Sequence, residues 1–99
     1  MKIKINDTEY NVIKDYGDTI DIELLNEYVT DYYDSFDYIV GDWAYGHLRL
    51  KGFYNKNNKL KKEYNDYSKV DEYIENNCAY GCKHFILEKI VKKSVEKEK

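Results

Sequence analysis

Residues 36–54 read FDYIVGDWAYGHLRLKGFY and hold the chain's single Trp and single Arg. Asp42, Trp43, Tyr45, His47, Arg49 and Lys51 bring a carboxylate, two large rings and three basic side chains into ten residues. On a strand, His47, Arg49 and Lys51 share one face, with side chains about 7 Å apart in a row. A row of cations with Trp43, Tyr45 and Phe53 beside it suits RNA or another phosphate-bearing polymer, because cations track the backbone and rings stack on bases. The same residue types serve protein recognition, with Trp43 and Tyr45 as anchors and Arg49 contacting a carboxylate. The plain structural reading is that Trp43 and Tyr45 close over the end of the sheet and Asp42 satisfies loop N–H groups. On that reading the basic face pairs with an acidic helix through Glu27, Asp31 or Asp34. Asp42 and His47 are acid–base types, but no nucleophile-and-base pair or phosphate loop accompanies them. A non-enzymatic binding module is the expectation, with no cofactor implied.

A second group of reactive side chains lies in the heptad Cys78-Ala-Tyr-Gly-Cys82-Lys-His84. Cys78, Cys82 and His84, completed by a fourth ligand such as His47, have the chemistry of a tetrahedral zinc site. Against this, Cys78 falls on the apolar stripe of the preceding helix, where a free Cys packs as a small hydrophobe. Reduced thiols are expected, since two cysteines in a chain without a signal segment do not make a disulfide framework.

Ninety-nine residues, 42% of them hydrophobic, predict one domain over residues 1–91 followed by a charged tail over 92–99. No run approaches the roughly 18 apolar residues of a membrane helix, and the polar start resembles no signal segment. A cytoplasmic protein without membrane contact is therefore expected. Fifteen Lys against one Arg, twelve Tyr and no Pro mark a compositional bias, so the abundance of Tyr alone does not define a stacking surface. Charge is uneven: residues 1–42 carry −8, residues 43–62 carry +6 and residues 63–99 carry −1, for a net −3. Overall acidity argues against a general nucleic-acid coat, while the central block keeps a focused anionic partner in view.

The elements that position these residues follow from periodicity. Alternation predicts strands at 2–5 and 8–14 joined by Asn6-Asp7, a pair suited to the positive φ angles of a two-residue hairpin. Asp21 caps a helix over 22–34 whose apolar face is Leu25, Tyr28, Val29 and Tyr32. Phe36–Val40 reads as a strand, 41–46 as a glycine-flanked loop, and 47–54 as a strand with Leu48 and Leu50 on the buried side. Leu60, Lys62 and Tyr64 give a further short edge strand. Ser68 caps a second helix carrying Val70, Tyr73 and Ile74, Gly81 ends it, and 83–91 is a last strand buried on both faces through Phe85-Ile86-Leu87. The order ββαββ(β)αβ predicts an α+β fold, an antiparallel or mixed sheet of about five to six strands with two helices packed against it.

The segments FDYIVGDWAYGHLRLKGF and YIENNCAYGCKHFILEK resemble the YutD-like family of small bacterial proteins, in the same order and over most of the chain from Asp21 onward. The resemblance implies a shared α+β fold and a cytoplasmic location, but no established activity. It also implies that Asp42, Trp43, Tyr45, Arg49 and Lys51 form any common surface, and that Cys78 and Cys82 match in position. The family pattern has Gly in place of Ala44 and Gln in place of His47, so a shared role for the His47 imidazole is not implied.

Overall fold

A computed structural model describes residues 1–77 and 82–90. Strands β1 (Lys2–Ile5) and β2 (Thr8–Tyr16) form the expected hairpin, with Asn6 and Asp7 at φ 47° and 73°. Short Asx side chains tolerate this left-handed region, which is why the turn needs no glycine.

Helix α1 (Ile22–Tyr28) is half the expected 22–34 span. Its start is as expected, since Asp21 Oδ1 accepts the Leu24 N–H at 3.2 Å. Its end comes early because the β-branched pair Val29–Thr30 leaves the helical region, and the Thr30 hydroxyl accepts from Tyr32 N to open a separate 3-10 turn at Asp31–Tyr33. Val29 is thereby delivered into the core as extended chain.

Strand β3 (Tyr38–Ala44) runs through the residues expected to form a loop, and only Tyr45-Gly46 connects it to β4 (His47–Phe53). The predicted edge strand around Leu60–Tyr64 does not form either. Asn side chains capture the local backbone instead, with Asn58 Oδ1 accepting from Leu60 N at 2.8 Å and Asn65 Oδ1 from Lys62 N at 2.6 Å, and 3-10 turns follow at Glu63–Asn65 and Tyr67–Lys69.

Helix α2 (Val70–Asn77) follows the second of these turns, and the capping residue there is Asp66, not Ser68. Asp66 Oδ1 accepts from both the amide and the hydroxyl of Ser68 at 2.9 Å. These bonds, the backbone one first, hold the Asp66 carboxyl below the ordinary carboxylate range. Stability from such a depressed group is fully present above the unfolded value of about 4 and is lost as pH falls through the lower folded value. Asp66→Asn is expected to flatten the acid limb in urea titrations taken from about pH 5 to pH 2; an unchanged limb would show that the cap does not contribute.

Strand β5 (His84–Lys89) is the last element among the described residues. The expected helix stop at Gly81, the expected packing of Cys78 and the tail 92–99 lie outside the described residues.

The sheet has five antiparallel strands in the order β1-β2-β5-β3-β4, so the last strand inserts at its centre. That explains the burial of Phe85, Ile86 and Leu87 at 1%, 4% and 0% exposure. The two helices cover opposite faces. Leu25 and Val29 of α1 pack with Ile39, Leu48, Phe85 and Leu87, whereas Val70 of α2 packs with Tyr38, Val40, Phe53 and Ile86. Full burial of each such aliphatic side chain contributes about 1.5–3 kcal/mol.

Candidate binding surface at the β3–β4 hairpin

Alternation along β3 assigns each residue of interest to a face. Tyr38, Val40 and Asp42 lie opposite Phe53, Lys51 and Arg49 of β4 and Glu88, Ile86 and His84 of β5, on the α2 side. Ile39, Gly41 and Trp43 lie on the α1 side with Leu50, Leu48, Phe85 and Leu87. Trp43 and Arg49 therefore project from opposite faces of the sheet. Trp43 thus does not lie beside the row of cations as expected from the sequence, because a strand continuing through Ala44 fixes a side for every residue that a loop would have left free.

Asp42 is 4% exposed and holds Arg49 in a bidentate pair, with Nε to Oδ1 and Nη2 to Oδ2 both at 2.9 Å. The partner of the lone Arg is thus the neighbouring strand, not Glu27, Asp31 or Asp34. The carboxylate raises the Arg49 pKa further, chiefly through these hydrogen bonds. Tyr73 of α2 lies close enough to feel the pair: burial first, and then the Asp42 charge, push its phenol up.

Lys51 is engaged as well. Its ammonium lies 5.3, 5.4 and 5.6 Å from the ring centroids of Phe53, Tyr64 and Tyr73, within cation–π range of all three. Of the predicted basic row, His47 stays exposed, Arg49 is salt-bridged and Lys51 sits among rings of its own chain. His84 continues the Asp42–Arg49 row across β5 and stacks on Tyr16 of β2, with centroids 5.3 Å apart.

Tyr45 occupies the tip of the hairpin. It is 99% exposed at φ 54°, followed by Gly46 at φ 78°. Two successive positive φ angles define the tight turn that matches strand twist, for which Asn-Gly is the preferred pair. A Tyr in the first position carries strain of about 1–3 kcal/mol.

Trp43 is half-buried against the α1-side core and lines an open cleft of about 700 Å³ with the segment 18–23 and Lys83. Asp18, Glu23 and Lys83 were not legible as neighbours of Trp43. They meet it because β5 lies between β2 and β3, with the Trp43 amide donating to the Lys83 carbonyl at 3.1 Å. The Gly17-Asp18 pair ahead of a capping Asp21 is a turn signal, yet strand order does not follow from it.

The expectation of reduced thiols fails at Cys82, which is disulfide-bonded. Its carbonyl engages His84 Nδ1 at 3.1 Å. Among the described residues no three His, Cys, Asp or Glu side chains converge on a metal-sized site. No described helix is long and apolar enough to cross a membrane.

A five-stranded antiparallel sheet between two short helices, ending in a Gly-Asp-Trp strand and tight hairpin, defines a small α+β class, and a family model described as "Putative antitoxin YutD-like" matches residues 4–88. The chain belongs to the YutD-like family. It is 38% identical over 90 residues to the "Putative antitoxin YutD" of Bacillus subtilis (strain 168), an alignment covering 91% of this chain and 99% of that protein. The solution NMR structure of protein yutD from B. subtilis superposes with a TM-score of 0.75 at 37% identity, covering 93% of this chain and 84% of that one.

Proposed function

We propose that this chain is a protein-binding module of the antitoxin kind named for its relatives, and that it holds a partner protein through the β3–β4 hairpin. One observation supports this above the rest: a fully exposed Tyr fixed at a positive φ where the turn itself favours Asn or Gly. Among the described residues no hydrogen bond or ring contact holds that ring, and strain kept at an exposed aromatic tip points to a role outside the fold. Two strands of seven residues make the presenting arm rigid, so little ordering cost is left for binding. Arg49, oriented by Asp42 and with 46% of its side chain exposed, flanks the tip on one face, and Trp43 flanks it on the other.

RNA or another polyanion is the competing reading. It retains the exposed His47, but the Asp42 carboxylate neutralises Arg49, and Lys51 is already held over three rings.

Tyr45→Asn separates binding from folding. The variant is expected to gain about 1 kcal/mol of stability by relieving the turn. It should bind about tenfold or more weakly to a partner captured from nuclease-treated lysate of the source cells and rebuilt as a complex from purified components. A complex that dissolves on nuclease treatment, with mixed RNA bound tightly at low salt, would overturn the reading in favour of the polyanion.

A further inference from the structure

We propose that the cleft beside Trp43 receives a basic side chain, an arginine above all, from a protein partner; this rests on the protein-binding reading and names the chemistry that the partner brings. The cleft is lined by the segment 18–23, which carries Asp18, Asp21 and Glu23, and by Trp43 and Lys83. The three carboxylates are exposed, and among the described residues none of them is in an ion pair. Asp21 spends one oxygen on the Leu24 amide of α1, while Asp18 and Glu23 remain open to a visitor. Charge complementarity therefore selects a cation, and an acidic or phosphate-bearing ligand is repelled.

The shape selects among cations. A half-buried indole offers a flat face, and guanidinium, being planar and weakly hydrated, stacks on it while its N–H groups reach carboxylates at the edge. A lysine ammonium gains the charge attraction with less of the stacking.

The receptor is built in advance. Asp15 Oδ1 accepts from the Thr19 amide at 2.9 Å and from its hydroxyl at 3.3 Å, tying down the wall that carries Asp18. That wall turns through Gly17 at φ 96° and Asp18 at φ 55°. A Cβ on Gly17 would fall 2.7 Å from Lys83 Cγ, so the lysine stem lies directly on the glycine, and Lys83 is itself one of the residues lining the cleft. Lys83 is then a tuning charge that lowers affinity for a cationic visitor.

Trp43 is the only Trp, so its fluorescence reads the cleft without labelling. Capped tri-arginine, tri-lysine and tri-citrulline peptides are titrated into the full chain. A saturable change is expected with tri-arginine, about threefold weaker binding with tri-lysine, and no change with tri-citrulline, whose shape is kept and charge lost. Asp18→Asn with Glu23→Gln is expected to weaken tri-arginine binding about tenfold, and Lys83→Ser to strengthen it about threefold. Asp31→Asn with Asp34→Asn, acids that do not line the cleft, should leave it unchanged. Equal responses to tri-citrulline, or equal losses in the two acidic double variants, would overturn the cleft. A partner complex that needs Tyr45 but ignores Asp18→Asn with Glu23→Gln would likewise overturn it, while leaving the protein-binding reading intact.

Discussion

Replacing Arg49 by Met is expected to cost about 2–3 kcal/mol, roughly twice the cost of replacing Asp42 by Leu. The asymmetry follows from exposure, since the side chain of Asp42 is 5% exposed and that of Arg49 is 46%. Without the guanidinium, a carboxylate buried between β4 and β5 loses two charge-assisted hydrogen bonds and has no water to replace them. Without the carboxylate, the guanidinium keeps its access to solvent and loses only about 1 kcal/mol of attraction. The double variant, apolar on both strands, should return to within about 1 kcal/mol of the parent, because removing both partners leaves no buried charge. Urea denaturation of the four proteins gives the coupling directly. Equal and additive single losses would show that the pair is an ordinary surface bridge.

Gly41→Ala is expected to cost about 3 kcal/mol or more, for a reason unrelated to backbone freedom. Gly41 lies inside β3, and an added Cβ would fall 2.2 Å from Phe85 Cζ, against a ring that is 1% exposed and cannot retreat. In a chain of this size that loss lowers the melting temperature by more than about 10 °C. Gly41→Ala combined with Phe85→Leu should recover part of it by clearing the clash. Gly46→Ala is the contrast: nothing lies within 4 Å of its Cβ position, and only φ 78° opposes the change. Its cost should stay near 1 kcal/mol. Similar losses at the two glycines would contradict the assignment of one to close packing and the other to turn conformation.

The two glycines show what periodicity conveys and what it omits. The β1–β2 hairpin, the Asp21 cap, the buried alternation of β4 and the burial of Phe85-Ile86-Leu87 on both faces were all legible, because each is a local pattern of side-chain type against backbone period. The extension of β3 through Asp42 and Trp43 was hidden by Gly41, which reads as a loop signal until Phe85 is known to lie over it. Read as a loop, residues 41–46 leave Trp43 free to join Arg49 on one face; as a strand they place the two on opposite faces. The early end of α1 at Val29 and the Asn-stabilised turns after Asn58 are contests between local capping and propensity that a hydrophobic stripe does not register. The Trp43 cleft depends on strand order, and no short-range signal places β5 between β2 and β3.

Mapping by NMR on uniformly ¹⁵N-labelled chain bound to its nuclease-treated protein partner tests the protein-binding role most directly. The largest amide shift changes should centre on Tyr45 and Gly46 and extend to Trp43 on one face and Arg49 on the other, with little change along β1. Changes gathered instead on the lysines of residues 56–62, and reproduced by mixed RNA, would contradict it.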